Sequence, residues 1–339
     1  MVDRDENTGP LSFADVGIPA PKNTKNTCFG KIRSWQSLTK LETAFLVTSL
    51  TGIVCFIVFT CIRIANMPRD DPDFTFAILV LVNAVICLYY AVNGIMYERP
   101  CELILLVLAT ITIWIYLVLN YAISVRTDIK LARMVVTSVL GPALIAMGVY
   151  ICRHYMLSKN LIFRTVGANA DLQKMCNTMF IFIDLLKADL QISVSMAILV
   201  MNDGTKLNLE DKILLPVVLV VSSGTFAAGY CSVRLESRLS ALFFVILWFV
   251  LPAYAMYLVV KAGQDLQDTS HDSKTEIGLY AVLFVTAAIA LVLRMATLFF
   301  GVKVYKHFGK GLAKKVFGDP TQSTTSSVTE QEPNINGSA

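Results

Sequence analysis

Residues 74–97 read FTFAILVLVNAVICLYYAVNGIMY and contain no Asp, Glu, Lys or Arg. An uninterrupted apolar run of about 20 residues is long enough to cross the roughly 30 Å hydrocarbon layer of a bilayer as an α-helix. Because similar runs recur along the chain, we predict an all-α fold: a polytopic transmembrane bundle of about eight spans joined by short loops. The predicted spans are residues 41–65, 74–97, 103–125, 133–156, 175–201, 211–232, 239–260 and 277–302.

The composition agrees with a chain that exposes most of its surface to lipid. Of the 339 residues, 55% are hydrophobic and only 16% are charged, whereas a soluble domain carries about 25% charged residues. Outside the transmembrane domain (residues 41–302), we predict a disordered polar tail over residues 1–40 and a second disordered tail, rich in Ser and Thr, over residues 319–339. No cleavable signal peptide is expected, because the first apolar run begins only near Leu41.

The distribution of Lys and Arg predicts the orientation. With both termini in the cytosol, the cytosolic segments hold about twice as many Lys and Arg residues as the opposite loops. The connection that contains Arg126, Lys130 and Arg133 disagrees with this arrangement. Either it is a tolerated exception or the boundaries of the third and fourth spans are displaced. We therefore expect an integral protein of the plasma membrane or an endomembrane, with both termini cytosolic.

The chain has eight cysteines, and their positions argue against disulfides, since the predicted outer loops contain none. Cys101, Cys152, Cys176 and Cys231 lie near predicted cytosolic membrane edges, where cysteines are sometimes palmitoylated. The alternative is that they are small buried apolar residues, as free cysteines often are.

The fifth span carries polar residues along one helical face. Polar and charged side chains along a whole span cannot face lipid, so this face must contact other helices or water. Within it, Asp184 and Lys187 are three residues apart and can form an ion pair. The functional interpretation is a hydrated path or ligand pocket, and the alternative is a polar network that holds helices in register. The residues on this face are Asn177, Asp184, Lys187, Gln191, Ser195 and Asn202.

Two further charges lie within predicted spans. Asp189 points away from the polar face of the fifth span, and Arg294 in the eighth span is its candidate partner. At 1.5 Å per residue, Asp184 is expected roughly 13 Å and Arg294 roughly 12 Å from the cytosolic ends of their spans. Lys187 and Asp189 should then lie close to the midplane.

Other spans could complete such a site. The second span presents Asn83, Tyr90 and Asn93 on one face, and the third carries Asn120. We predict these four residues, together with Asn177 of the fifth span, as secondary polar lining. In the sixth span, Gly224 and Ala228 have the spacing that permits close helix packing. No repeat of the two halves is evident, so the sequence does not favour an inverted-repeat transporter.

The segment after the last span is basic and amphipathic. We predict an interfacial helix over residues 303–318 that attracts anionic lipid of the inner leaflet through five lysines. The alternative is a basic juxtamembrane segment without helical structure. The connection 157–174 and the C-terminal tail are candidate docking regions for a cytosolic protein, although a simple connector would also explain the loop. The five lysines are Lys303, Lys306, Lys310, Lys314 and Lys315.

Motifs of soluble enzymes are absent from the sequence. The three histidines (His154, His271 and His307) lack the spacing of a metal site, and no Gly-rich phosphate loop or nucleophile elbow occurs. We therefore expect no enzymatic activity, no cofactor or metal, and no nucleic-acid partner. An intramembrane enzyme that uses Asp184 or Asp189 is the remaining catalytic alternative.

The spans, with the basic amphipathic helix after the last of them, resemble seven-helix receptors. The chain departs from that family because it lacks the Asp/Glu-Arg-Tyr-type triplet after span three and the Asn-Pro-x-x-Tyr-type motif in the last span. It also lacks the Cys pair that links outer elements, and it has one span more.

Two functions follow as hypotheses. The first is a channel or transporter for an ion or small polar solute, with Asp184 and Lys187 as charged elements, Gln191 and Ser195 as polar lining and Arg294 as a counter-charge. The second is a receptor-like signalling protein or membrane scaffold, in which the charges form a structural or switching lock.

Overall fold

A computed structural model describes residues 25–27, 30–66, 72–123, 128–158, 160–167, 169–200, 209–268 and 274–317. A pair of short antiparallel strands and a 3-10 helix (Trp35–Ser37) precede the first long helix. The remaining elements are helical. In chain order they are β1 (Lys25–Thr27), β2 (Gly30–Ile32), α1 (Lys40–Ala65), α2 (Pro72–Met96), α3 (Pro100–Ile123), α4 (Asp128–Ser158), α5 (Asn160–Val166), α6 (Ala170–Leu199), α7 (Leu209–Leu235), α8 (Arg238–Asp268), α9 (Lys274–Tyr305) and α10 (Leu312–Phe317).

The long helices have the dimensions of membrane spans. Among the described residues, eight helices are 24 to 32 residues long, and 24 residues of α-helix extend about 36 Å. Six of the eight (all but α3 and α6) contain stretches long and apolar enough to cross a bilayer. The prediction of a helical membrane bundle is therefore confirmed, and the protein is an integral membrane protein.

The outer surface of the bundle is apolar, as contact with lipid requires. Large aliphatic side chains such as Val139, Val220 and Val292 are 68%, 72% and 70% exposed. A soluble protein would not expose apolar residues over such an extended surface. These faces therefore form the lipid-contacting surface.

The long helices form two four-helix units, α1–α4 and α6–α9. Within each unit, consecutive helices pack against each other and the first helix packs against the fourth. We call the end that holds the start of α1, the α2–α3 and α7–α8 turns and the end of α9 the proximal end, and the opposite end the distal end. Since four helices return the chain to the end at which it started, both units begin at the proximal end.

Each unit has its own apolar core. In the first unit the core includes Phe45, Tyr90 and Leu103. In the second, one cluster around Phe182 and Phe244 lies toward the proximal end, and another around Met196 and Tyr254 lies farther along the bundle. Helix α6 contacts α2 and α3 of the first unit as well as α7 and α9 of its own. Most of the contact between the two units is therefore made by α6, and α9 adds a smaller contact with α2.

Several boundaries differ from the predictions. Helix α4 begins at Asp128 rather than at residue 133, so Lys130 and Arg133 lie in its first turns. The connection 157–174 contains α5, followed by Gly167 at φ +75° and by Asn169, whose side chain caps the amides of Asp171 and Leu172. Helix α6 accordingly begins five residues earlier than predicted.

The polar N-terminal segment is structured close to the membrane domain. The backbone amide of Arg33 donates to the carbonyl of Met96 in the first unit, and Thr39 with Glu42 forms a capping box at the start of α1. Residues 25–27 and 30–40, which are predicted from the sequence to lie in a disordered tail, thus belong to the described structure and include β1, β2 and the 3-10 helix. Residues 1–24 and the predicted C-terminal tail 319–339 lie outside the described residues.

The predicted helix over residues 303–318 is not continuous. Helix α9 ends at Tyr305, and α10 begins only at Leu312. Between them Gly309 and Gly311 adopt φ values of +82° and +71°, a left-handed conformation that interrupts an α-helix. Leu312 and Val316 pack into the apolar core of the second unit, so this face of α10 contacts protein rather than lipid.

Candidate functional site

Four charged residues meet where α3 of the first unit contacts α6 of the second. A guanidinium nitrogen of Arg99 lies 3.1 Å from a carboxylate oxygen of Asp184, and Lys187 donates to Glu102. Two longer contacts close the set, 3.8 Å between Arg99 and Glu102 and 3.9 Å between Lys187 and Asp184. We call these four residues the charge quartet. Its formal charge is zero, and both direct bonds join one unit to the other.

Aromatic rings enclose the two cations of the quartet. The Arg99 guanidinium lies 5.1 Å from the ring centre of Phe180 and 5.7 Å from that of Tyr97. The Lys187 ammonium lies 5.3 Å from the ring centre of Tyr89. At these distances the ring quadrupoles stabilise a cation that has left water. All four quartet residues are at least 92% buried, so pairing and aromatic contacts replace their hydration.

A neutral polar cluster lies about one to two helical turns farther along α6. The Gln191 amide donates to the side-chain oxygen of Asn83 at 2.8 Å, and the Asn83 amide donates to the Ser195 hydroxyl at 3.0 Å. The Asn83 amide also donates to the carbonyl of Leu79 within α2. We call Asn83, Gln191 and Ser195 the amide cluster. Like the charge quartet, it joins the two units, here through α2 and α6.

The distal part of this interface is apolar. Phe76 and Leu79 of α2 pack against a buried cluster formed by Leu199 of α6 with Tyr280 and Leu283 of α9. From the proximal to the distal end, the interface therefore changes from charged to neutral polar and then to apolar side chains. The amide cluster therefore lies between the charge quartet on its proximal side and the apolar cluster around Leu199 and Leu283 on its distal side.

Asp189 and Arg294 form a separate pair inside the second unit, as predicted. The Arg294 Nε lies 3.2 Å from the Asp189 carboxylate, and its two terminal nitrogens donate to the Leu251 carbonyl and the Ser193 hydroxyl. The Arg294 carbonyl in turn accepts from the indole of Trp248. Arg294 is only 1% exposed, so this pair joins α6, α8 and α9 without contact with water.

The remaining predicted residues have different positions. Tyr90 is 1% exposed in the core of the first unit, and its hydroxyl has no hydrogen-bond partner among the described residues. Asn93 is half-buried on α2, with no side-chain bond to α6 in the described part of the chain. Asn177 is exposed near the start of α6 and does not join the polar face, so its assignment to the lining is wrong. The Asn120 side chain and Asn202 lie outside what the structure describes.

Sequence reasoning missed two members of the quartet, Arg99 and Glu102. Arg99 counted as a cytosolic loop residue, whereas it is 4% exposed and bonded to Asp184. The sequence did contain a signal for them. An Arg and a Glu three residues apart at the start of an apolar run need oppositely charged partners if they are buried. The predicted Asp184–Lys187 pairing within α6 is weaker than expected, since both side chains instead make shorter bonds to α3.

The charges lie closer to the proximal surface than predicted. Asp184 lies at the same level as Arg99, which directly precedes α3. The reason is that α6 extends beyond the other helices at this end. The extension packs against α5 and α10. The expected depth of roughly 13 Å assumed that all spans begin at one level. The quartet is therefore near the proximal mouth of the interface, and the amide cluster is the deeper polar group.

At the proximal end, a second polar network holds the N-terminal segment. Arg33 contacts carboxylates of Glu98 at 2.9 Å and Glu42 at 3.1 Å, and the Tyr155 hydroxyl donates to Glu42. Burial acts to lower the pKa of the Arg33 guanidinium, but the charges of Glu98 and Glu42 outweigh it and the pKa is raised. Arg33 therefore stays charged and fixes this segment to the first unit.

The small-residue face of α7 and the cysteines can also be assigned. A Cβ atom on Gly229 would lie 2.8 Å from Leu186 of α6, which explains why this position of α7 is small. All seven described cysteines are free. Cys152 and Cys176 are buried, while Cys231 is exposed near the proximal end of α7, so of these three Cys231 is the one that an acyl transferase could reach.

The chain belongs to the family defined by the domain of unknown function DUF7789, whose model matches residues 29–153 and 166–303. The first matched segment contains α1 to most of α4, and the second contains α6 to most of α9. The gap between the two matched segments, residues 154–165, falls at the junction of the two four-helix units. Comparisons with curated proteins and with solved structures find no match. Among the described residues, no group of His, Cys, Asp and Glu side chains is arranged to hold a metal ion.

Proposed function

We propose that this protein is a transporter for an ion or small polar solute, in which the two four-helix units move relative to each other. One observation carries the proposal: polar side chains of α6 concentrate on its contact with the first unit. Folding of a single unit does not require them there, because each unit has an apolar core. In transporters built from two similar halves, the substrate site lies at the interface of the halves.

The amide cluster is the proposed solute site. Asn83, Gln191 and Ser195 supply hydrogen-bond donors and acceptors without net charge, which suits a small polar solute or a partly dehydrated ion. The charge quartet closes the proximal side of this site, and the apolar cluster around Leu199 and Leu283 closes the distal side. This conformation is therefore the occluded state of the proposed cycle.

A permanently open channel is not supported by this arrangement. The quartet residues are nearly fully buried and bonded to one another, whereas a conducting pore keeps its charged side chains in water. The transport proposal accordingly requires an alternating conformation in which the proximal ends of α3 and α6 separate.

The proposed orientation has both termini and the proximal end in the cytosol. The turn before α3 and the segment after α9 are at this end, and the bias of Lys and Arg places such segments inside. Lys303, Lys306 and Lys310 are exposed there and would contact anionic headgroups at about 1 kcal/mol each. Lys314 and Lys315 extend the same basic segment.

Reconstitution into proteoliposomes tests the proposal. Uptake of a panel of inorganic ions, amino acids and sugars is compared between wild-type protein, empty liposomes and three variants: Q191L, D184N and K187M. We expect one class of solute to enter with the wild-type protein, Q191L to raise its KM and the quartet variants to change its maximal rate. S223A, at an exposed position of α7, is the matched control and should transport normally. If no solute enters faster than in empty liposomes, or if well-folded Q191L, D184N and K187M all transport like the wild type, the proposal is wrong.

The second candidate, a receptor-like protein or membrane scaffold, has a specific observation in its favour. Every charged residue of the quartet is paired in a dry contact, which is typical of a structural lock. In that case the cytosolic surface formed by α5, α10 and the loop 157–174 would bind a partner protein. Pull-downs with the full chain and with a chain lacking residues 302–339, together with charge reversals in the loop, test this function. It fails if no captured protein depends on either segment.

A further inference from the structure

The quartet contains a buried carboxylate oxygen that has no donor. Glu102 is 0% exposed, and one of its oxygens accepts from Lys187. The other oxygen, Oε2, has no hydrogen-bond partner in the described part of the chain. A buried carboxylate oxygen normally accepts a hydrogen bond, because an ionised oxygen without a donor is destabilised. Protonation removes the charge, so Oε2 is the atom of the quartet at which a proton would be stabilised.

Tyr90 on α2 is a second buried group of this kind. Its hydroxyl has no hydrogen-bond partner in the described part of the chain, so it does not donate to Glu102 in this conformation. Tyr90 and Glu102 both belong to the first unit. The ionised Glu102 carboxylate is therefore not stabilised by the phenol.

The remaining groups around Glu102 set its charge balance. Asp184 contributes a negative charge, and Arg99 and Lys187 contribute two positive charges. The other titratable side chains around the quartet are Tyr89, Tyr90 and Cys87 of α2, Cys101 at the start of α3 and Cys152 of α4.

We propose that Glu102 is a proton-binding site and that its protonation releases the proximal contact between the two units. The proton enters from the cytosolic side and binds to Oε2, so the carboxylate becomes a neutral acid. The charge of the quartet then changes from zero to +1. Arg99 and Lys187, on opposite units, now share a single carboxylate, that of Asp184.

This charge change favours separation at the proximal end. A buried cation without its counter-ion is strongly destabilised, and Lys187 regains hydration when α6 moves away from α3. Deprotonation restores the Glu102–Lys187 pair and closes the interface. Proton binding is thus the step that would drive the conformational cycle, and this coupling rests on the proposed transport function.

Two measurements test the proton site without depending on transport. Infrared difference spectroscopy of the purified full-length protein in lipid nanodiscs, between neutral and acidic pH, should show the carbonyl band of a protonated carboxylic acid. The band should be absent from E102Q and present in D189N, whose carboxylate belongs to the separate Arg294 pair. If E102Q retains every protonation band of the wild type, Glu102 is not the proton site.

Thiol labelling at one fixed pH tests the release. Cys176 is 0% exposed on α6 next to the quartet, so it serves as the reporter in a variant that retains it as its single cysteine. E102Q mimics the protonated acid and should label roughly tenfold faster, a change that corresponds to about 1.4 kcal/mol. E102D, which retains the negative charge, should label at the wild-type rate. Equal rates in wild type and E102Q would overturn the release step.

The outcomes separate the two proposals. A Glu102-dependent infrared band with faster labelling, but no solute uptake, would establish a proton-controlled contact and reject transport. Uptake that is independent of external pH and unchanged in E102Q, without the band, would retain transport and reject the proton site.

Discussion

The two four-helix units have the same arrangement of helices but place their polar residues differently. In the first unit, the bonded acidic side chains Glu42 and Glu98 lie at the proximal surface around Arg33, and the core is apolar. In the second unit, the Asp189–Arg294 pair is enclosed among α6, α8 and α9. Because both units have the same packing, the fold itself does not require an internal ion pair. Within the described residues, the second unit therefore encloses an ion pair among its own helices, which the first unit does not.

The middle turns of the units provide a closer comparison. Glu98 between α2 and α3 has φ +50°, and Glu236 between α7 and α8 has φ +47°. A left-handed conformation costs a residue other than Gly roughly 1–2 kcal/mol, so both turns need compensating bonds. Glu98 pairs with Arg33 of the segment before α1, whereas Glu236 accepts from the amides of Gly309 and Ala313 after α9. A turn glutamate thus fixes the segment before α1 in the first unit and the segment after α9 in the second unit.

The largest effect is expected from breaking the internal pair of the second unit. R294M leaves Asp189 buried without its cation and should lower the free energy of unfolding by about 3–5 kcal/mol. The double variant D189L/R294M removes both charges and should recover most of this loss. Chemical unfolding in detergent, followed by tryptophan fluorescence, measures both.

The matched control in the first unit is R33M, which removes a cation at the proximal surface. It should cost less than R294M, because Glu42 keeps its hydrogen bonds from Thr39 and Tyr155, whereas R294M leaves Asp189 without its cation. If D189L/R294M is as unstable as R294M, the pair contributes more than mutual neutralisation, and its hydrogen bonds to Ser193 and Leu251 must then account for the loss.

A smaller effect is expected where glycine permits close helix packing in both units. A Cβ atom on Gly94 of α2 would lie 2.9 Å from Leu103, and one on Gly229 of α7 would lie 2.8 Å from Leu186. G94A and G229A should each destabilise the protein by about 1–3 kcal/mol, as overpacking does. G224A is the control, since its nearest neighbour atom would be 3.5 Å away. Equal melting temperatures for G229A and G224A would show that Leu186 moves aside without loss.

Much of the fold could be predicted from the sequence, because a span is a local property. Residues 74–97 specify α2 through their own apolarity, and the observed helix runs from Pro72 to Met96. The break between α9 and α10 was less visible, since the Val304, Phe308, Leu312 and Val316 spacing is helical. Gly309 and Gly311 override it because their left-handed conformations let Leu312 reach the core of the second unit.

Only the residues that α6 contributes to the site, and the Arg294 partner of Asp189, could be predicted from the sequence. The polar face of α6 is evident from spacing alone, and its pairing of Asp189 with Arg294 follows from the need for a counter-charge. The partners of Asp184 and Lys187 could not be found in this way, because Arg99 and Glu102 occupy a helix start, where charged residues are ordinarily hydrated. Their burial results from the extension of α6 beyond the other helices, a tertiary feature that no local pattern contains.

The smallest expected effect is a pH dependence of amide protection that is present in the segment after α9 and absent from the segment before α1. His307 lies between α9 and α10, and its pKa is lowered from 6.5 by burial and then by the charges of Lys310 and Lys174. Since the folded state disfavours the protonated ring, this contribution to stability is present above the ordinary pKa and is lost as the pH falls through the lowered value. Arg33 does not titrate in this range, because its pKa is raised.

Hydrogen exchange, corrected for the intrinsic pH dependence of the chemical step, should therefore show the Gly309 and Ala313 amides losing protection on mild acidification, while the Arg33 amide keeps its protection. H307N should remove the pH dependence at Gly309 and Ala313. An unchanged pH dependence in H307N would assign it to Glu236, the acceptor of both amides.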